Sequence, residues 1–249
     1  MSNSVIVTGG SKGIGWAIVE TLARSGYFVV SGSRTLRKNI PTDLTSKILQ
    51  VKIDVQNEHD HEKLVKLANE KDHQLVAYVN NAGFSEWRPI ENVDEEFISE
   101  IIRTNLVGYF WGSKAASVSL KNGGSIINIS SLAAKRGTSN NSAYVATKFG
   151  VAGLTQSLCK ELGHRGIRVN AVCPVLVETE GLINALNDEH SPANGNSLEF
   201  LKSFSLSQAP LLRLPTAQEV ANLVRFLISD DASGISGQSI NVDCGVLPN

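Results

Sequence analysis

The run Val5-Ile6-Val7-Thr8-Gly9-Gly10-Ser11-Lys12-Gly13-Ile14-Gly15 constrains this chain more than any other part of it. Three apolar residues give a short buried-strand pattern, and a glycine turn follows at once. Beyond the turn, Ile14, Ala17, Ile18, Leu22 and Ala23 recur three and four apart, the spacing that gives a helix one buried face. The segment therefore predicts a strand, a tight turn and a helix. The helix N-terminus offers unpaired N–H groups and the positive end of its dipole, and the glycines let a ligand approach the main chain. The turn is a candidate pyrophosphate cradle, although a ligand-free tight turn has the same signature.

The alternation continues along the chain. Residues 28–30, 48–55, 75–79, 125–129, 167–172 and 239–242 read as further strands, and 58–70, 94–120, 142–163 and 216–229 as helices. Short buried strands alternating with amphipathic helices predict an α/β fold, a doubly wound Rossmann-type parallel sheet of about seven strands with helices on both faces. With 249 residues and no internal repeat, one domain over 1–249 is expected. The stretch 35–47 contains Pro41 and lacks a helical period, so it predicts a short irregular connection. Residues 180–215 are rich in Ser, Asn and Pro, with apolar anchors Leu182, Ile183, Leu186, Leu198, Phe200 and Leu201, a composition that fits a substrate lid.

A formal net charge of −1 without a basic run gives no electrostatic support for nucleic-acid or membrane-surface binding. No stretch is apolar enough to span a bilayer, and the first residues do not read as a secretory leader. The three cysteines, Cys159, Cys173 and Cys244, are too scattered for a disulfide framework and suit a reducing cytoplasm, where the protein is expected. His59 and His61 lie among Glu58, Asp60 and Glu62 and read as a solvated acidic helix start, so no metal is expected.

The second strand leads into Ser31-Gly32-Ser33-Arg34, with no carboxylate before Asp43. A site selecting NAD usually places an acid here to accept from the ribose 2′-hydroxyl. Arg34, with Lys12 of the glycine turn and Ser33, suits a 2′-phosphate instead, so the expected cofactor is NADP(H).

Tyr144 and Lys148 are four apart on a predicted helix and share a face. A phenol with an ordinary pKa of about 10 becomes a usable proton donor and acceptor when a neighbouring ammonium stabilises its anion.

Together with Asp54-Val55, Asn80-Asn81-Ala82-Gly83, Asn105, Asn128-Ile129-Ser130-Ser131 and Asn170-Ala171-Val172-Cys173-Pro174, these motifs run nearly end to end in an order that resembles the short-chain dehydrogenase/reductase family, in its single-domain branch of about this length. The resemblance implies a carbonyl–alcohol oxidoreductase in which Tyr144 is general acid or base, Lys148 lowers its pKa and holds the nicotinamide ribose, Ser131 stabilises the substrate oxygen, and Asn105 positions a water that links Lys148 to solvent. It also implies cofactor contacts from Gly9, Ser11, Lys12, Gly13, Ile14, Gly15, Ser33, Arg34, Asp54, Val55, Asn80, Ala82, Gly83, Pro174, Val177 and Thr179. Two positions depart from the family pattern: Val175 and Cys244 stand where glycine is usual.

Phe84, Ser85, Trp87, Arg136, Asn140 and Asn141 near the reacting end point to a small or medium polar carbonyl or alcohol substrate. Tyr109, Phe110 and Trp111 give the long helix more aromatic surface than one sheet needs, and family members pair this helix and 142–163 across a subunit interface, so a homodimer or homotetramer is expected. The alternatives are a 3-oxoacyl-carrier-protein reductase and, from another class, a non-catalytic NADP(H)-binding sensor.

Overall fold

The computed structural model describes residues 2–120 and 123–248. Seven strands, β1 (Ser2–Thr8), β2 (Phe28–Ser33), β3 (Ile48–Lys52), β4 (His73–Asn80), β5 (Gly124–Ile129), β6 (Ile167–Pro174) and β7 (Ser239–Val242), form one sheet in the order β3-β2-β1-β4-β5-β6-β7. Every neighbouring pair is parallel. The helices are α1 (Gly13–Arg24), α2 (Glu58–Ala68), α3 (Glu95–Ile102), α4 (Gly108–Ser119), α5 (Ser142–Leu162), α6 (Glu180–Leu186), α7 (Ser197–Gln208) and α8 (Ala217–Ile228). The expected doubly wound single-domain sheet with helices on both faces is the fold observed.

Both faces of the sheet are covered, which is why its strands read as continuous apolar runs. Val5 and Val7 point to one side, where they pack with Ile18 and Leu22 of α1 and with Val220 and Val224 of α8. Ile6, between them, points to the other side and joins Leu64 of α2, Ala116 of α4 and Leu162 of α5. A one-residue slip of β1 would exchange these two sets. The strand order reverses between β1 and β4, and a doubly wound sheet opens a crevice outside the strand ends at such a point.

Three expectations need correction. The third strand ends at Lys52 rather than at residue 55. The Ile53 amide still donates to the Ser33 carbonyl at 3.1 Å, but the Asp54 amide donates to the Asp60 carboxylate at 2.8 Å and the Asp54 carboxylate accepts from the Gln56 amide at 3.0 Å, so the chain leaves the ladder at Asp54. The long helix expected over 94–120 is α3 and α4 joined by a π-helical turn at Arg103–Val107, which re-phases the faces around Asn105. Among the lid anchors, Leu186 and Leu201 are buried, but Leu198 is exposed. The other anchors, Leu182, Ile183 and Phe200, pack against this core between α6 and α7, which also takes in Trp87 from the loop after β4. The stretch 35–47 is irregular as expected, with only a short 3₁₀ turn at Thr42–Leu44.

Candidate active site

The glycine turn is fixed to the neighbouring strand end by a clamp that spans the switch point. The Thr8 hydroxyl accepts from the main-chain amides of Asn81 and Ala82 at 3.0 and 3.2 Å. Asn81 Nδ2 donates back to the carbonyls of Thr8 and Gly9 at 2.9 and 3.2 Å. The loops approach so closely that Gly9, at φ +67°, has no room for a side chain: a Cβ would lie 2.8 Å from the Ala82 Cα. A Cβ on Gly15 would strike the Gly9 carbonyl oxygen. Above this turn, α1 begins with no acidic residue in its first turn and no side-chain cap, so its N–H groups face outward.

The turn forms the floor of a cleft of about 850 Å³ that runs from Arg34 to Tyr144 and on beneath α6 and α7. Every catalytic and cofactor-contact residue the sequence nominated borders it except Asn80 and Asn105, and of the residues placed near the reacting end only Asn140 does not. Asn80 is buried in the sheet, where its Nδ2 donates to Asn128 Oδ1 at 2.9 Å and Ser113 Oγ at 3.2 Å. Its neighbour Asn81 occupies the cleft wall. Asn105 is fully buried and clasps the main chain of Phe84, accepting from its N–H at 3.0 Å and donating to its carbonyl at 2.7 Å. It fixes the loop after β4 through its side chain.

At the adenine end, Arg34 makes one loose ion pair with Glu100, at 3.9 Å with both side chains about half exposed or more. Such a pair is worth little in water. The Ser33 hydroxyl is buried and has no hydrogen-bonding partner among the described residues. The Asp54–Val55 turn is held from below by His61. This histidine is fully buried, with Nδ1 2.7 Å from the Tyr78 hydroxyl and Nε2 2.9 Å from the Val55 carbonyl. Burial lowers its pKa, so the neutral ring accepts from the tyrosine and donates to the carbonyl. Its neighbour His59 is solvated as expected, but His61 is a buried strut. No local pattern signals this, because its partner Tyr78 lies on β4, 17 residues away.

At the reacting end, Tyr144 is half-buried and Lys148 almost wholly buried, on consecutive turns of α5. The Lys148 ammonium donates to the Ile129 carbonyl at 3.0 Å and to the Tyr109 hydroxyl at 3.4 Å, and it lies 5.5 Å from the Tyr144 ring centre. Desolvation pushes the Lys148 pKa down to about 8. Desolvation also raises the Tyr144 pKa, and the adjacent Ser131 hydroxyl only partly offsets that. Ser131, two residues past β5, borders the cleft, while the Ser130 hydroxyl is buried and donates to the Lys148 carbonyl at 3.3 Å. Of the two serines, Ser131 is the one that faces the phenol.

Tyr109 was read as surface aromatic and is instead buried, its hydroxyl donating to the Ile129 carbonyl at 2.7 Å. The π turn rotates it inward. A phenol, an ammonium and a hydroxyl therefore converge on one spot in a cleft that also holds an anion-binding helix end. That arrangement suits proton exchange with an oxygen while a bound dinucleotide exchanges hydride.

A family model described as enoyl-(acyl-carrier-protein) reductase matches residues 9–247. The chain belongs to the short-chain dehydrogenase/reductase family. It is 34% identical over 99% of its length to a 3-oxoacyl-[acyl-carrier-protein] reductase of Staphylococcus aureus, of which the match covers 98%. It is 35% identical to an (S)-acetoin-forming diacetyl reductase of Staphylococcus epidermidis, over 99% of each chain. A variant of actinorhodin polyketide ketoreductase, solved with NADPH, superposes with a TM-score of 0.88 at 29% identity, covering 98% of this chain and 97% of that one. As a member of this family the chain is an oxidoreductase that uses a nicotinamide cofactor.

Proposed function

We propose that this enzyme interconverts a ketone and a secondary alcohol on a small or medium polar substrate, with NADP(H) as the hydride partner. The observation that carries the cofactor preference is the set of Lys12, Arg34 and the Ser33 hydroxyl, unpartnered among the described residues, around the end of β2, after which the chain carries no carboxylate before Asp43. A 2′-phosphate would take the Ser33 hydrogen bond and outcompete Glu100 for Arg34. The open N-terminus of α1 and the tight Gly9–Ala82 contact fit a pyrophosphate lying on the turn, with Thr179, Pro174 and Val177 along the opposite wall.

When bound, the dinucleotide supplies or accepts the hydride. Tyr144 donates a proton to the oxygen as it becomes an alkoxide, and burial keeps the phenol protonated at neutral pH. Ser131 donates a hydrogen bond to the same oxygen, and the Lys148 ammonium, steadied by Ile129 and Tyr109, places positive charge behind the phenol. The Asn105 side chain is engaged with Phe84, so any water it holds for Lys148 would sit on main chain loosened by the π turn. The segment 180–215 serves as the substrate lid, with Trp87 as the post on which α6 and α7 rest.

The experiment is a titration of the purified protein with NADPH and NADH, followed by NADPH oxidation against hydroxyketones, keto-sugars and acyl thioesters. NADPH binding the tighter, and turnover of the first two classes, is the expected result. Tighter NADH would overturn the roles given to Lys12 and Arg34. A second reading, a 3-oxoacyl thioester reductase, is favoured by the Staphylococcus aureus relative, and preference for the thioester arm would establish it.

Half-exposed Phe110 and Phe149 lie on α4 and α5, beside a surface depression of about 490 Å³ lined by Phe110, Leu154 and Leu158. This face suits a homo-oligomer. The three free cysteines suit the cytoplasm, and among the described residues no helix is long and apolar enough to cross a membrane.

A further inference from the structure

At the substrate end of the cleft, two buried polar groups have no partner among the described residues: the indole Nε1 of Trp87 and the amide Oδ1 of Asn141. Both residues are only 5% exposed. Folded proteins pair nearly all such groups, because an unpaired buried donor or acceptor is unfavourable.

Neither side chain is loose. Asn141 is the N-cap of α5, where an asparagine oxygen ordinarily accepts from the first helical N–H groups, yet it makes no capping bond. Its Nδ2 donates instead to Ser85 Oγ at 3.3 Å, which leaves the amide oxygen free. The preceding residue, Asn140, adopts a left-handed φ of +56°, and its carbonyl accepts from the Arg88 amide at 2.6 Å. That bond ties the start of α5 to the loop carrying Trp87. The indole is packed among Leu186, Leu201 and Phe200 of α6 and α7. Packing therefore fixes both side chains while their polar atoms stay unsatisfied. Asn141 also stands three residues before Tyr144, one turn from the phenol.

We propose that Trp87 and Asn141 are specificity-determining residues that bind hydroxyl groups flanking the reacting carbonyl, so that the enzyme selects hydroxyketones and their polyol products. The proposal rests on the ketone–alcohol reading above and narrows its substrate class. A hydroxyl accepts from the indole N–H and donates to the amide oxygen, so it satisfies both groups, whether one hydroxyl serves both or two adjacent ones serve one each. A second carbonyl satisfies Trp87 alone. A plain alkyl chain satisfies neither and leaves a donor and an acceptor dry when the lid is closed.

The test compares kcat/KM for matched pairs, hydroxyacetone against acetone and erythrulose against butanone, in the native enzyme and in Trp87→Phe and Asn141→Ala. The native enzyme is expected to prefer a hydroxylated member by about tenfold or more, the scale set by leaving buried polar groups unpaired. Each variant is expected to bring that ratio toward one, mainly through KM for the hydroxylated member. A native ratio near one overturns the proposal. So does a ratio that survives Asn141→Ala, a change that removes no core side chain. If no carbonyl compound is reduced with either nicotinamide, the reaction reading falls and the proposal with it. Turnover of plain and hydroxylated ketones at equal rates refutes the proposal alone.

Discussion

Lys148 does not reach for the hydroxyl of Tyr144; its ammonium is anchored 3.0 Å from the Ile129 carbonyl, with the tyrosine ring 5.5 Å away. Tyr109 shares the same carbonyl. The ammonium thus stands beside the ring rather than on the phenolic oxygen, which has the Ser131 hydroxyl next to it. Because both groups are desolvated, their pKa values move apart: Lys148 falls to about 8, and Tyr144 rises above its usual value.

A pH dependence follows from those directions. In the proposed reaction, reduction needs a protonated Tyr144 and a charged Lys148, and both forms persist at neutral pH. As pH rises through about 8, Lys148 loses its proton and the positive charge behind the phenol goes with it. kcat/KM for ketone reduction should be level from pH 6 to 7 and fall about tenfold per unit well above the Lys148 value. Oxidation of the alcohol, which needs the phenolate, should climb with pH instead. A pH–rate profile in both directions checks this, and a reduction rate that climbs between pH 8 and 9 would contradict it.

Tyr144→Phe removes the proposed proton donor and little else, since the ring packs as a hydrophobic group against the cluster of Phe97, Ile101 and Ala143. Turnover should drop by roughly 10²–10⁴, the usual contribution of a positioned acid or base. Dissociation constants for the nicotinamide, measured by fluorescence, should change less than threefold. Appreciable residual turnover would show that another group delivers the proton.

How far the sequence disclosed this site depended on how local each signal was. The glycine turn, the Tyr144–Lys148 spacing and the buried strand runs are properties of short segments, so they were readable before any tertiary contact was known. The roles of Asn80, Tyr109 and His61 were not. Asn80 is consumed by Asn128 and Ser113, 48 and 33 residues away, and His61 by Tyr78 on a strand that the helix pattern does not name. Tyr109 turns inward only because a π turn adds a residue to the helix phase, a feature that a periodicity of 3.6 cannot register. Trp87 reads locally as a substrate residue and is also buried in the cluster between α6 and α7, since its contacts come from residues about 100 positions later.

One residue tests the proposed cofactor preference. Arg34 is largely exposed and holds only Glu100, so Arg34→Ala should disturb the fold by less than about 0.5 kcal/mol. Its loss should weaken NADPH about ten- to hundredfold, as expected for one charge-assisted phosphate contact, and leave NADH within about threefold. Adding Lys12→Ala should weaken NADPH further. Isothermal titration with both cofactors measures the four constants, and equal losses for the two would remove Arg34 from the 2′-phosphate site.

Cys244 is a fold-level cost of the departure seen in the sequence. It adopts a φ of +55°, in the left-handed region where a side chain is strained by about 1–2 kcal/mol and glycine is not. The residue nevertheless keeps its place, because its carbonyl accepts from the Leu211 amide at 3.3 Å and Asp243 beside it ties down the amides of Gly245 and Leu247 at 3.0 and 2.8 Å. Those bonds dictate the backbone angles whatever the side chain. Cys244→Gly should relieve the strain, at a partial offset from the greater freedom of glycine in the unfolded chain, for a net gain of about 0.5–1 kcal/mol. For a chain of this size that is a Tm higher by roughly 1–4 °C. Cys244→Ala is the control: it keeps a Cβ and should leave Tm nearly unchanged, so a gain shared equally by both variants would place the cost in the thiol rather than in the backbone.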